Sequence, residues 1–156
     1  MLEGKVEAIY IAPERGEPII GVDQAYLVPG LGIQGDRYCV HQGETSKENR
    51  PDRQLTLIES EAIEAINQDA GIQISPPDTR RNIITRGIRL NELVGRVFFV
   101  GTAQIHGIRL CEPCDYLASR TDKRILTAMA HRGGLRAEIL SEGIIHQNDA
   151  ITVPDE

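Results

Sequence analysis

RVFFVGTAQIHGIRL, residues 96–110, decides the fold class. Two short runs rich in β-branched and aromatic residues meet at Gly101, and neither run is long enough for a helix. A glycine between two such runs marks a reversal of direction, so the stretch reads as two strands. The pattern recurs toward the C-terminus in LRAEIL (135–140) and DAITV (149–153).

The same reading extends toward the N-terminus. KVEAIYIA (5–12) reads as a first strand, ERGEP (14–18) as a turn, and QAYLV (24–28) as a second strand entering the glycine-rich bend PGLGIQGD (29–36). HQGETSKENRPDR (41–53) is polar throughout and reads as a mobile surface loop beside whatever the fold binds. RQLTLI (53–58) is β-like and runs into ESEAIEAINQDAG, where Ala62, Ile63, Ile66 and Ala70 fall at helical spacing and Gly71 supplies the stop. The two prolines of ISPPDTR (74–80) argue against regular structure, and order resumes at RNIIT (81–85). A second helix is expected around KRILTAMAHR (123–132). Strands outnumber helices and nothing repeats, which predicts a mainly β, barrel-like domain with two or so attached helices.

A chain of 156 residues is expected to form one compact unit. Its 17 Lys+Arg are outnumbered by 23 acids and scattered, and aromatics make up only 4%, so nucleic acid is not the expected partner. Glu3, Lys5 and Glu7 interrupt any apolar leader, and no run reaches the length of a membrane span. A cytoplasmic location with no membrane partner is expected. In a reducing compartment the three cysteines suit metal ligands, reactive thiols or small buried hydrophobes better than a disulfide framework.

GLGIQG, Gly30 to Gly35, satisfies the glycine spacing of a dinucleotide fingerprint, but DRYCV follows as a strand where that motif needs a helix. It is read as a turn. LCEPCDYL (110–117) holds Cys111 and Cys114 around Pro113 and leads into a helix start at DYLASR. Three readings stand. The pair has the spacing of a redox motif, although such motifs follow an early strand of a βαβ unit. It could form a zinc clasp with Cys39 and His41 of CVH. Or one thiolate acts alone as nucleophile, sulfur carrier or ligand to a soft metal, which calls for nearby cations. DTRRN places Arg80, Arg81 and Asn82 where a proline-rich loop feeds a strand, and guanidinium forks beside an amide suit phosphate or carboxylate. Arg37 and Arg53 add two more cations.

Five stretches in order resemble the MOSC domain, the module named for the C-terminal part of molybdenum-cofactor sulfurases and found in small stand-alone bacterial proteins. They are GIQGDRY, RQLTLIESEAI, TRRNIITRGIRLNELVGRVFFVGTAQI, LCEPCDYL and RGGLRAEILSEGIIHQNDAI. The resemblance implies a MOSC-type β-barrel with a few peripheral α-helices, over residues 1–156 as a single domain. It implies that Cys114 carries sulfur or ligates the molybdenum of a pterin cofactor (molybdopterin), and that Arg80, Arg81 and Asn82, with Arg37, contact the phosphate or pterin. The implied roles are sulfur transfer or molybdenum-dependent reduction of N-hydroxylated compounds on a small-molecule ligand. Family members draw sulfur from a pyridoxal-phosphate enzyme, so a separate cysteine desulfurase or a molybdoenzyme is the implied partner. The opposing class is a non-catalytic anion-binding module, with structural cysteines and zinc.

Overall fold

The computed structural model describes residues 2–14, 18–36 and 51–155. Its strands are β1 (Leu2–Ile11), β2 (Ile20–Val22), β3 (Gln24–Val28), β4 (Gly32–Ile33), β5 (Leu55–Glu59), β6 (Ile83–Arg86), β7 (Val97–Val100), β8 (Ala103–Leu110), β9 (Leu135–Ile139), β10 (Gly143–His146) and β11 (Ala150–Val153). Three α-helices accompany them, α1 (Ser60–Ala70), α2 (Asp115–Arg120) and α3 (Ile125–Ala128).

Seven strands close into a barrel in the order β11-β7-β8-β9-β5-β6-β1, because β1 also pairs with β11. The length of β1 makes closure work. Leu2–Lys5 pairs with β11, Lys5–Ile9 with β6, and Ile9–Ile11 with the short β2. A closed barrel leaves few open edges. A separate three-stranded sheet runs β10-β3-β4. The pairing of β5 with β6 is parallel, bridged by α1 in a βαβ crossover.

Alternation sorts the side chains into two apolar bodies. Leu55, Leu57, Ile83, Phe98, Leu135 and Ala137 point into the barrel and join its interior cluster. Ile58 and Ile84, one residue along on β5 and β6, point out and pack with Ile63 and Ile66 of α1, Leu117 of α2 and Ile125 of α3. The helices therefore cover one flank of the barrel.

The sequence reading needs several corrections. The Ser-Pro-Pro-Asp stretch is regular after all: Pro76–Thr79 forms a 3-10 helix. Both prolines fall in its first turn, where no N–H is required, and Ser75 with Asp78 forms a capping box. The helix expected over 123–132 shortens to Ile125–Ala128, while α2 forms at DYLASR, where a helix start was expected. β1 starts three residues early and β2 was not foreseen. The bend glycines Gly30 and Gly35 take φ of +78° and +92°, as turn residues do. The strand expected at DRYCV and most of the polar loop lie outside the described residues, and Pro51–Arg53 at the loop's end is a 3-10 turn. Among the described residues no helix is long and apolar enough to cross a membrane.

Candidate functional site

The outer wall of the barrel beside the helices carries a cleft of about 190 Å³, lined by Arg53, Arg80, Arg81, Asn82, Cys111, Cys114 and Arg136, with Asp36, Thr56 and Tyr116 among its neighbours. Alternation explains why polar groups collect here. Leu55 and Leu57 face the interior, so Thr56 between them faces out; Leu135 and Ala137 do the same for Arg136. Thr56 and Arg136 stand opposite each other in the β5–β9 register.

Asn82 is a staple between strands. Its Oδ1 accepts from the Thr56 amide (3.0 Å) and hydroxyl (3.1 Å), and its Nδ2 donates to the Tyr10 carbonyl (3.1 Å). It lines the cleft with its amide largely engaged by the barrel.

Arg81 is buried and holds backbone. Nε donates to the Gly133 carbonyl (2.9 Å), Nη1 to the Thr79 carbonyl (3.1 Å) and Nη2 to the Cys111 carbonyl (3.0 Å). One guanidinium thus joins three segments and pins the cysteine stretch, whose Cys111 amide also donates to Gly134 (2.7 Å). Two glycines make this possible. A Cβ on Gly133 would strike the Cys111 carbonyl, and one on Gly134, at φ +112°, would strike the Leu57 carbonyl. Burial pulls the Arg81 pKa below the usual arginine value; Cys111 opposes that, Arg136 adds to it by like-charge repulsion, and Cys114 and Glu112 oppose it. Among the described residues no carboxylate pairs with it.

Arg80 goes the other way. It ends the 3-10 helix at φ +60°, a left-handed conformation costing a non-glycine residue about 1–2 kcal/mol. That reversal lets adjacent arginines diverge, Arg81 inward and Arg80 to the rim. There Arg80 sits 5.9 Å from the ring centroid of Tyr116, and Arg120 approaches the same ring at 5.7 Å.

The two cysteines are free thiols in opposite settings: Cys111 is buried and Cys114 exposed. Cys114 is the N-cap residue of α2 and its carbonyl accepts from Ala118 (3.0 Å). Between them, Glu112 accepts from the His131 amide (2.7 Å) and pairs with its Nδ1 (3.0 Å), tying the segment to the loop before β9.

Arg80, Arg81, Asn82 and Cys114 thus share one cleft, with Arg53. Arg37, and the Cys39 and His41 of the zinc reading, lie outside the described residues. Among the described residues no three His, Cys, Asp or Glu gather as a metal cluster. The Cys-x-x-Cys spacing follows β8, whereas the βαβ unit is built from β5, α1 and β6. Sequence reasoning missed Arg136, whose Nη1 donates to the Asp52 carbonyl (3.2 Å) and whose buried Nε has no partner among the described residues. A buried donor left unpaired costs about 1–3 kcal/mol. It also missed Asp36, a buried carboxylate that accepts from the Ala12 amide (2.8 Å) and ties the bend to the end of β1.

Among the described residues, the barrel wall thus bears an arginine-rich cleft beside one exposed thiol. The MOSC domain family matches residues 38–152, and the chain belongs to it. The YuaD protein from Bacillus subtilis has the same fold, with a TM-score of 0.81 at 20% identity over 96% of this chain and 94% of that one. YiiM from Geobacillus stearothermophilus superposes with a TM-score of 0.71 at 16% identity, covering 97% and 75%. YiiM from Escherichia coli gives 0.68 at 20%, covering 97% and 70%. No curated protein matches the sequence.

Proposed function

We propose that this MOSC protein uses the Cys114 thiolate to carry sulfur or to ligate molybdenum of a pterin cofactor, with the arginine cleft holding the anionic part of the ligand. The observation that carries this reading is the exposed Cys114 in a cleft lined by four arginines and one carboxylate, in a chain of net charge -6. Positive charge so concentrated on an acidic protein complements an anionic ligand and an anionic sulfur.

The residues present fit a phosphorylated, molybdenum-bearing group. A thiolate is a soft ligand suited to the metal, and the unpartnered Arg136 donor with the rim guanidinium of Arg80 suits the phosphate. When bound, the cofactor would supply the metal centre for reduction of N-hydroxylated compounds. For sulfur transfer the chain supplies the nucleophile itself. The Cys114 thiolate attacks the outer sulfur of a donor persulfide, the donor's S–S bond breaks, the donor leaves as thiolate, and Cys114 keeps the persulfide. A cysteine desulfurase is the donor class that presents such a sulfur. Arg81 holds the Cys111 carbonyl, which keeps the cysteine segment against the cleft while this occurs.

The test is elemental analysis and a persulfide assay on protein purified from cells that make the cofactor, with Cys114→Ser beside it. Stoichiometric molybdenum or transferable sulfur is expected in the parent and none in the variant. Neither in the parent, or equal loading in both, would overturn the reading. Zinc in place of both would favour the structural module.

A further inference from the structure

Of the three residues marked by the TRRN motif, two are occupied with the architecture. Arg81 directs Nε, Nη1 and Nη2 at carbonyls, and the Asn82 amide serves Thr56 and Tyr10. Arg80 is left at the rim over the Tyr116 ring, so the oxyanion needs a further ligand from elsewhere.

Arg136 has the required features. It lines the same cleft from the outward face of β9. Its buried Nε–H has no acceptor among the described residues, while Nη1 makes one long bond to a backbone carbonyl. The carboxylate beside it is already engaged: Asp52 takes two bonds from Arg109, at 2.9 and 3.0 Å. Although burial raises the Asp52 pKa, that hydrogen bond and the charges of Arg109, Arg136 and Arg53 hold it below the usual carboxylate value. Arg136 also lines the cleft with Arg81, and its charge helps hold the Arg81 pKa below the usual arginine value. Two like charges in one cleft are stabilised by an anion, and the orphaned Arg136 donor is the group it can accept from.

We propose that Arg136 is the principal oxyanion ligand of the cleft, binding a phosphate group, and that Arg81 acts as a positioning residue for the cysteine segment. This rests on the anionic-ligand reading above and names the residue that reads the anion. A guanidinium presents two parallel N–H groups to two phosphate oxygens, which a point-charge ammonium cannot do. Arg136 thereby sets a preference for tetrahedral oxyanions over spherical ones such as chloride.

The experiment is calorimetric titration of the full chain with inorganic phosphate and, in a second arm, with glycerol phosphate, against a chloride background. The parent should bind phosphate. Arg136→Gln should weaken it about tenfold or more, the scale of a lost charge-assisted hydrogen bond. Arg136→Lys keeps the charge and the stem, so it reports even if the Gln variant folds poorly, and it should recover only part of the affinity. Tighter binding of glycerol phosphate would identify an ester as the natural source, and tighter binding of inorganic phosphate the free ion; both support the assignment. Unchanged affinity in Arg136→Gln and Arg136→Lys, or no phosphate binding by the parent, would overturn it. The titration makes no use of the cysteine. Failure of sulfur or molybdenum loading would therefore be seen separately.

Discussion

The barrel has two sides built from the same strands, and they follow different rules. On β5 and β6 the inward residues Leu55, Leu57 and Ile83 are fully buried and wholly apolar. The outward positions beside them hold Thr56 and Asn82, joined by hydrogen bonds, and then Ile58 and Ile84 under the helices. Inside, each residue answers only to volume and apolarity. Outside, each polar group needs a specific partner; among the described residues three buried side-chain atoms lack one, Glu7 Oε2, Glu61 Oε1 and Arg136 Nε, and of these only Arg136 lines the cleft. Most of the apolar packing resides in the interior, and the proposed chemistry on the wall.

The largest effect that could break this division is in the interior. Leu57→Ala should destabilise the fold by about 2–5 kcal/mol, the range for a truncated buried leucine. Chemical denaturation measures it. A cost under about 1 kcal/mol would mean the interior is loosely packed and the contrast with the wall is false.

Next in size is Arg81→Met, which keeps the stem and removes the fork. The Thr79, Gly133 and Cys111 carbonyls lose their shared donor, and the expected cost is about 2–3 kcal/mol because buried acceptors go unpaired. The same variant should loosen the cysteine segment, read as faster hydrogen exchange at the Cys111 amide. If stability falls while exchange there is unchanged, Arg81 is a packing residue and does not position the cysteines.

How much of this could be read from the sequence follows the same division. The strands at 96–110 and 135–140 were visible as short β-branched runs punctuated by glycine, and the helix after RQLTLI by the period of about 3.6 that burial imposes. The parallel β5–β6 pair left no local trace, since parallel pairing is a relation between segments. β2 is three residues with an exposed Ile20, too short to show a period. Arg80, Arg81 and Asn82 stood out as a cluster, but the partners that define two of them are distant: Gly133 lies 52 residues from Arg81 and Tyr10 lies 72 from Asn82. Arg136 looks in sequence like any outward charge on a half-exposed strand. Its missing partner and its place in the cleft together distinguish it, and both are properties of the assembled wall.

The smallest effects sharpen the contrast within one segment, at Cys111 and Cys114. Cys111 is 1% exposed, with backbone N–H and C=O both engaged, so it belongs to the packed side. Replacing it with Ser buries a hydroxyl without a provided partner, at a cost of about 1–3 kcal/mol by mutational scales. Cys114 is exposed, and Cys114→Ser should leave stability within about 0.5 kcal/mol, as surface substitutions do. Function should divide in the opposite sense, with sulfur or molybdenum loading lost at Cys114 and largely kept at Cys111. Iodoacetamide at neutral pH gives the kinetic form of the same test, because alkylation needs access to the sulfur. Cys114 should be labelled in the native protein, and Cys111 only as fast as its segment opens. Faster labelling at Cys111, or equal loss of loading in both variants, would mean that both sulfurs act together and that the wall does not separate a structural thiol from a chemical one.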